Sequence, residues 1–251
     1  MLVERTALVT GASSGIGEAC ARQLARAGAR VIVTARRRDR LEALAAELDG
    51  PIHPLELDVS DHHAVQRALD ELPTEWRDID LLVNNAGLAA GLGPLWDNDP
   101  ADWWAMLDTN VAGAMSVAAA VLPGMVERGR GDVIMIGSIA GREAYPGGAA
   151  YCASKAAVHQ LTDALRGDLH GTGVRLCLVE PGMVETEFSL VRFGGDADRA
   201  AAVYQDTTPL TADDVADVIT WIVDRPNHVE VADVLVMPTA QSAATRVERR
   251  R

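Results

Sequence analysis

Tyr151 and Lys155 stand four residues apart within a helical pattern, a spacing that puts both side chains on one face. A free tyrosine has a pKa of about 10, too high for a base near neutrality. A neighbouring ammonium, together with an oxidised nicotinamide, stabilises the phenolate and is expected to lower that value. The tuned phenol can then take a proton from an alcohol or give one to a carbonyl oxygen. Ser138, upstream at the end of an apolar run, is placed to hold the oxygen concerned. A Tyr-x-x-x-Lys pair alone carries little weight, because these types at helical spacing are common and usually structural. Ser138 and a glycine-rich loop near the start of the chain reverse those odds.

That loop is Thr10-Gly-Ala-Ser-Ser-Gly-Ile-Gly17, which follows one apolar run and opens a helical one. Gly11, Gly15 and Gly17 let the backbone turn tightly around Ile16 and approach a pyrophosphate, whose charge the helix N-terminus favours. Choice between dinucleotides is read at the end of the second strand, where a carboxylate would hold a ribose 2′-hydroxyl. This chain has Ala35, Arg36 and Arg37 there. The missing acid removes repulsion, and a guanidinium can pair with a 2′-phosphate, so NADP(H) is expected rather than NAD. Ser13 and Ser14 can add hydroxyl contacts to that phosphate. Taken alone, both arginines would serve equally as solvated residues at the start of a charged helix.

The elements that must position these groups alternate along the chain. Apolar runs at 6–10, 31–34, 52–57, 79–83, 132–136, 174–179 and 234–237 read as strands. Helical patterns fall at 15–26, 39–48, 62–72, 101–127, 150–170 and 212–223. Continuous apolar strands separated by helices predict an α/β fold, a doubly wound, Rossmann-like parallel sheet covered on both faces. One domain is expected over residues 1–245. Within it the strandless segment 185–209 suits a substrate lid, with an ordered surface insertion as the alternative, and 246–251 reads as a frayed basic tail.

The spacing Thr-Gly-x-x-x-Gly-x-Gly, followed by Asn84-Asn-Ala-Gly87, Ser138, Tyr151-Cys-Ala-Ser-Lys155 and Pro181-Gly182 with Thr186, resembles the short-chain dehydrogenase/reductase family over nearly the whole chain. The resemblance implies a hydride transfer between NADP(H) and an alcohol or carbonyl. It implies that Asp58 meets the adenine, and that Asn85, Ala86 and Gly87 line the adenosine ribose. Lys155 would hold the nicotinamide ribose, Asn110 would anchor a water linking Lys155 to solvent, and Val184 and Thr186, after Pro181 and Gly182, would touch the carboxamide side. A homotetramer or homodimer is also implied.

Longer stretches, among them Val121-Leu-Pro-Gly-Met-Val-Glu-Arg128 and Glu180-Pro-Gly182, are similar to the NADP-dependent 3-hydroxy acid dehydrogenases. Those enzymes act on L-allo-threonine, serine and 3-hydroxypropionate, or reduce malonic semialdehyde. Such a small-molecule substrate needs a cation for its carboxylate: Arg192 in the lid is the first candidate, Arg142 the second, with Tyr145 and Tyr204 shaping the pocket. The competing readings are a carbonyl reductase of a specialised pathway and a non-catalytic NADP(H)-sensing regulator.

Composition narrows the partners. Lys+Arg 23 against Asp+Glu 36 gives a net charge of −13, which disfavours nucleic acid and anionic membranes. The apolar stretch 105–126 is interrupted by Asp108, Asn110 and Pro123, so no membrane span is expected. The first strand begins too near Met1 for a signal peptide. Cys20, Cys152 and Cys177 lack metal-site spacing, as do the histidines, and suit a reducing, cytoplasmic setting.

Overall fold

A computed structural model describes the fold over residues 2–249. The apolar runs become strands β1 (Thr6–Thr10), β2 (Arg30–Ala35), β3 (Ile52–Glu56), β4 (Ile79–Asn84), β5 (Gly131–Ile136), β6 (Val174–Pro181) and β7 (Asp233–Val236). They form one parallel sheet in the order β3-β2-β1-β4-β5-β6-β7. Every residue of β1, β4 and β5 is buried. Burial on both faces is why these strands are continuously apolar rather than alternating.

Helices α1 (Gly15–Arg26), α2 (Arg38–Glu47) and α10 (Ala212–Val223) cover one face, through a core that includes Leu24, Leu41 and Ile219. The other face is covered by α3 (His62–Asp70), α5 (Ala114–Glu127) and α7 (Ala149–Asp168), through Val65, Met125 and Val158. Strand order reverses between β1 and β4, so their carboxyl ends diverge and open a crevice, the usual ligand position in such sheets.

The stretch expected as one helix over 101–127 is α4 (Pro100–Leu107), a π-helical turn over Asp108–Gly113, and α5. The polar residues read as interruptions do not break it. The π turn widens the helix where Asn110 turns inward, and Pro123 lies inside α5. By length and mean hydropathy, 1.4, Pro100–Glu127 is long and apolar enough to cross a membrane, contrary to the expectation from sequence. Within this fold it covers the sheet and carries a buried asparagine.

Segment 185–209 contains two short helices, α8 (Phe188–Arg192) and α9 (Ala197–Tyr204). The basic end is not frayed over its described part. β9 (Arg246–Val247) pairs with β8 (Gln241–Ala243), and the Arg249 guanidinium donates to the carbonyls of Gln205 and Val203. Residues 250 and 251 lie outside the described residues.

Candidate active site

A cleft of about 350 Å³ opens at the crevice between β1 and β4. Its floor is the β1–α1 loop, where Gly11 and Gly15 have φ of +68° and +57°, a region other residues rarely adopt. Gly17 lies just behind: a Cβ there would fall 2.4 Å from the Gly11 carbonyl oxygen. The loop is fixed to the end of β4 through Thr10, whose hydroxyl accepts from the backbone N–H groups of Asn85 and Ala86 at 2.9 Å each. The Asn85 amide returns a bond to the Thr10 carbonyl at 2.8 Å.

At the β2 end of the cleft, Arg37 donates through Nη2 to the hydroxyls of Ser13 and Ser14, both at 2.9 Å. Its Nη1 meets Glu187 of segment 185–209 at 2.9 Å, and Arg40 meets the other Glu187 oxygen at 2.7 Å. Those cations hold the Glu187 carboxyl below its ordinary range, the Arg40 hydrogen bond contributing most. Arg36 is exposed and lies 3.9 Å from Asp58.

The opposite wall carries Ser138, Tyr151 and Lys155. Ser138 follows β5 and caps α6 (Ile139–Arg142), its hydroxyl accepting from Ala140 N at 3.1 Å. Tyr151 and Lys155 project from the first turns of α7, both buried. Lys155 Nζ donates to the Ile136 carbonyl at 2.9 Å. It is the only lysine among the 251 residues. Burial pulls its pKa down from 10.5 to about 8, against the opposing pull of Glu180.

For the chain by itself the Tyr151 shift is upward. Its phenol is pushed up to about 12, because burial outweighs a hydrogen bond with Ser138 and the charge of Arg192, and Lys155 is not among the causes of the shift. The phenol of the chain by itself is a guarded acid rather than an activated base.

Asn110, from the π turn, lies behind this wall. Its amide accepts from Leu88 N at 2.8 Å and donates to the Leu88 carbonyl and to Ser154 Oγ, at 2.9 and 3.0 Å. A Cβ on Gly87 would lie 3.2 Å from Asn110 Oδ1, tighter than most side-chain contacts, and 3.6 Å from Lys155 Nζ, an ordinary contact.

Every residue expected at the cofactor and catalytic positions lines the cleft except Gly17 and Asn110, which support it. The substrate candidates are sorted differently. Arg192 packs its guanidinium against Tyr151, Tyr145 and Phe188 with centroid distances of 5.1, 5.6 and 5.6 Å. Its Nη2 donates to the Tyr145 hydroxyl, its buried Nε has no partner among the described residues, and neither Arg192 nor Tyr145 itself lines the cleft. Arg142 is not available as a carboxylate clamp: its guanidinium is engaged by Glu180 and Asp233 away from the cleft. Tyr204 ties segment 185–209 together, bonding Ser189 Oγ at 2.6 Å and donating to the Val184 carbonyl at 2.9 Å, and does not line the cleft. Leu57, Val59, Leu88, Glu187, Phe188 and Val191 were not foreseen as lining residues. Leu57 and Val59 flank Asp58 in sequence, and that adjacency was the available signal.

Residues 5–192 match the family model described as short chain dehydrogenase. A sulfoacetaldehyde reductase of Chromohalobacter salexigens is 51% identical over 246 residues, 96% of this chain and 98% of that protein. An NADP-dependent 3-hydroxy acid dehydrogenase of Salmonella typhi is 49% identical over 238 residues, 94% of this chain and 96% of that one. The solved closed form of serine dehydrogenase complexed with NADP+ is 46% identical. It superposes with a TM-score of 0.94 over 98% of this chain and 100% of that structure.

Proposed function

The chain belongs to the short-chain dehydrogenase family, and on that premise we propose that it is an NADP(H)-dependent oxidoreductase interconverting a small anionic carbonyl compound and its alcohol, a 3-hydroxy acid above all. The observation that carries this is one cleft with two ends. A glycine floor beside Arg36 and Arg37 occupies one end; Ser138, Tyr151 and Lys155 share the wall at the other.

The residues fit the cofactor. The positive-φ glycines leave backbone where a Cβ would otherwise fill the floor, and no carboxylate ends β2. Gly11, Ser13, Ser14, Gly15 and Ile16 would hold the pyrophosphate side, with Arg36 and Arg37 on the 2′-phosphate. Asp58, Asn85, Ala86 and Gly87 would line the adenosine half, and Pro181, Gly182, Val184 and Thr186 the nicotinamide half. Bound there, NADPH supplies the hydride.

The protein supplies the proton. Tyr151 gives it to the carbonyl oxygen while the Ser138 hydroxyl holds that oxygen, and the buried, neutral phenol suits the donor role. One Lys155 N–H is spent on Ile136, leaving two for the ribose and for solvent-linked proton supply past Asn110. Alcohol oxidation runs the same proton backwards and needs positive charge beside the phenol, which Arg192 over the Tyr151 ring provides.

Arg192 supports an anionic substrate. A guanidinium stacked on the ring of Tyr151 with an unpartnered buried Nε is a donor waiting for an acceptor. A sulfonate would satisfy it as a carboxylate does, and the similarity to a sulfoacetaldehyde reductase keeps that second reading. We place the enzyme in the cytoplasm as a homotetramer or homodimer; three buried free thiols suit a reducing compartment.

The test is a spectrophotometric panel with NADP(H): serine, L-allo-threonine, 3-hydroxypropionate, sulfoacetaldehyde and an uncharged ketone. Turnover of the anionic compounds is expected, and Arg192→Ala should weaken them by at least about tenfold while sparing the ketone. Unchanged specificity across the panel would remove Arg192 from the site.

A further inference from the structure

Directly before Pro181-Gly182, strand β6 buries a carboxylate completely: Glu180 has no exposed side-chain surface. Burying an acid is costly unless it is paired, and this one is paired on two sides. Its Oε2 receives Nε of Arg142 from α6, and its Oε1 meets Nδ1 of His159 from α7 at 2.9 Å. Beyond them stand Asp233 of β7, on the far side of Arg142, and Asp163, 3.6 Å from His159 Nε2.

These partners are not scattered. Arg142 ends the short helix that Ser138 caps. His159 lies one turn beyond Lys155 and two beyond Tyr151 on α7, on the same face. The Glu180 Cγ packs where Gly137 has no side chain, and a Cβ there would be 2.7 Å away. Gly137 sits between Ile136, whose carbonyl holds Lys155 Nζ, and Ser138. On the other side of the same junction, a Cβ on Gly141 would fall 2.7 Å from the Lys155 carbonyl oxygen. One carboxylate therefore ties together the three elements that deliver Ser138, Lys155 and Pro181-Gly182.

We propose that Glu180 is a positioning residue of the active site, the buried counter-charge that keeps Lys155 an ammonium and, through Arg142 and His159, fixes α6 and α7 against β6. Arg142 and the His159 ring contact it directly, Lys155 is held to the neighbouring Ile136 carbonyl, and Asp233 and Asp163 stand one step removed. Lys155 faces Tyr151 along its own helix and uncharged Asn110 from the π turn. Against burial, which drives its proton off, the charge of Glu180 opposes the loss.

The consequence for turnover rests on the proposed function; the lysine titration does not, so the two can fail separately. Because the chain has a single lysine, ε-13C-lysine labelling gives one side-chain resonance, and its pH titration reads Lys155 directly. Glu180→Gln should lower that midpoint by about one unit. The alkaline limb of kcat/KM for carbonyl reduction should move down with it. Arg142→Met breaks the same ion pair but keeps the carboxylate, and should leave the midpoint unchanged or raised. A midpoint in Glu180→Gln within about 0.3 unit of the parent would overturn the proposal. So would a fall in both variants, which would mean that Lys155 answers to disturbed packing rather than charge. Should Glu180→Gln not fold, Arg142→Met alone decides: a lowered midpoint overturns the proposal, and an unchanged or raised one supports it.

Discussion

At the scale of single residues, function turns on what each charge is paired with. Arg37 and Arg142 are both arginines near the cleft in sequence, yet they end differently. Arg37 keeps its guanidinium in the cleft, on Ser13, Ser14 and one Glu187 oxygen. Arg142 spends its own on two acids elsewhere. No spacing rule distinguishes them, because the acids that claim Arg142 are 38 and 91 residues away. An arriving 2′-phosphate would compete with Glu187 for Arg37, and a partly exposed ion pair is worth only about 0–1 kcal/mol, so the doubly charged phosphate should win. Arg36→Ala with Arg37→Ala is accordingly expected to raise the KM for NADPH by about 100-fold, the loss of one or two charge-assisted contacts, and to change that for NADH less than about threefold. Steady-state kinetics with the two cofactors checks this; equal effects would contradict it.

At the scale of elements, strands and long helices were legible because burial on both sheet faces writes continuous apolar runs, and α1 and α10 begin and end where the pattern does. What was not legible depends on contacts distant in sequence. The π turn exists because Asn110 reaches Leu88 and Ser154, and α6 is only four residues long, set by the Ser138 cap. The two short helices α8 and α9 lie in a stretch of mixed charge with no long apolar period. The wall of Ser138, Tyr151 and Lys155 was readable as residue types, whereas the burial of Tyr151 was not, since burial depends on the packed neighbours. The close approach of α6 to α7 gives a prediction at this scale. Gly141→Ala puts a methyl 2.7 Å from a backbone oxygen of Lys155. Separating two packed elements by that overlap should cost about 2 kcal/mol in denaturant unfolding and lower kcat more than it raises KM.

Over the whole molecule, the site is held at the expense of stability. Lys155 has its pKa lowered from 10.5 to about 8 in the fold. Below pH 8 the folded chain carries this buried ammonium at a cost of about 3 kcal/mol relative to the unfolded chain. Between pH 8 and 10.5 the folded state has released the proton and the unfolded state has not, so this group makes stability rise with pH. Tyr151, raised from 10.0 to about 12, works in the other direction: above pH 10 the unfolded phenol ionises first and stability falls. Lys155→Met should therefore be inactive yet more stable at pH 7 by about 2 kcal/mol, after loss of the bond to Ile136, and should lose the rise above pH 8. Urea unfolding from pH 6 to 10 measures both; a variant less stable than the parent at pH 7 would contradict the reading.

The most direct measurement compares Tyr151→Phe with the parent for NADPH-dependent reduction of an anionic aldehyde, alongside NADPH binding by fluorescence. The expected result is binding within about threefold of the parent with turnover reduced by about 10³-fold or more, because the variant lacks only the proton donor. Turnover within a few-fold of the parent would contradict the assignment of Tyr151 as that donor.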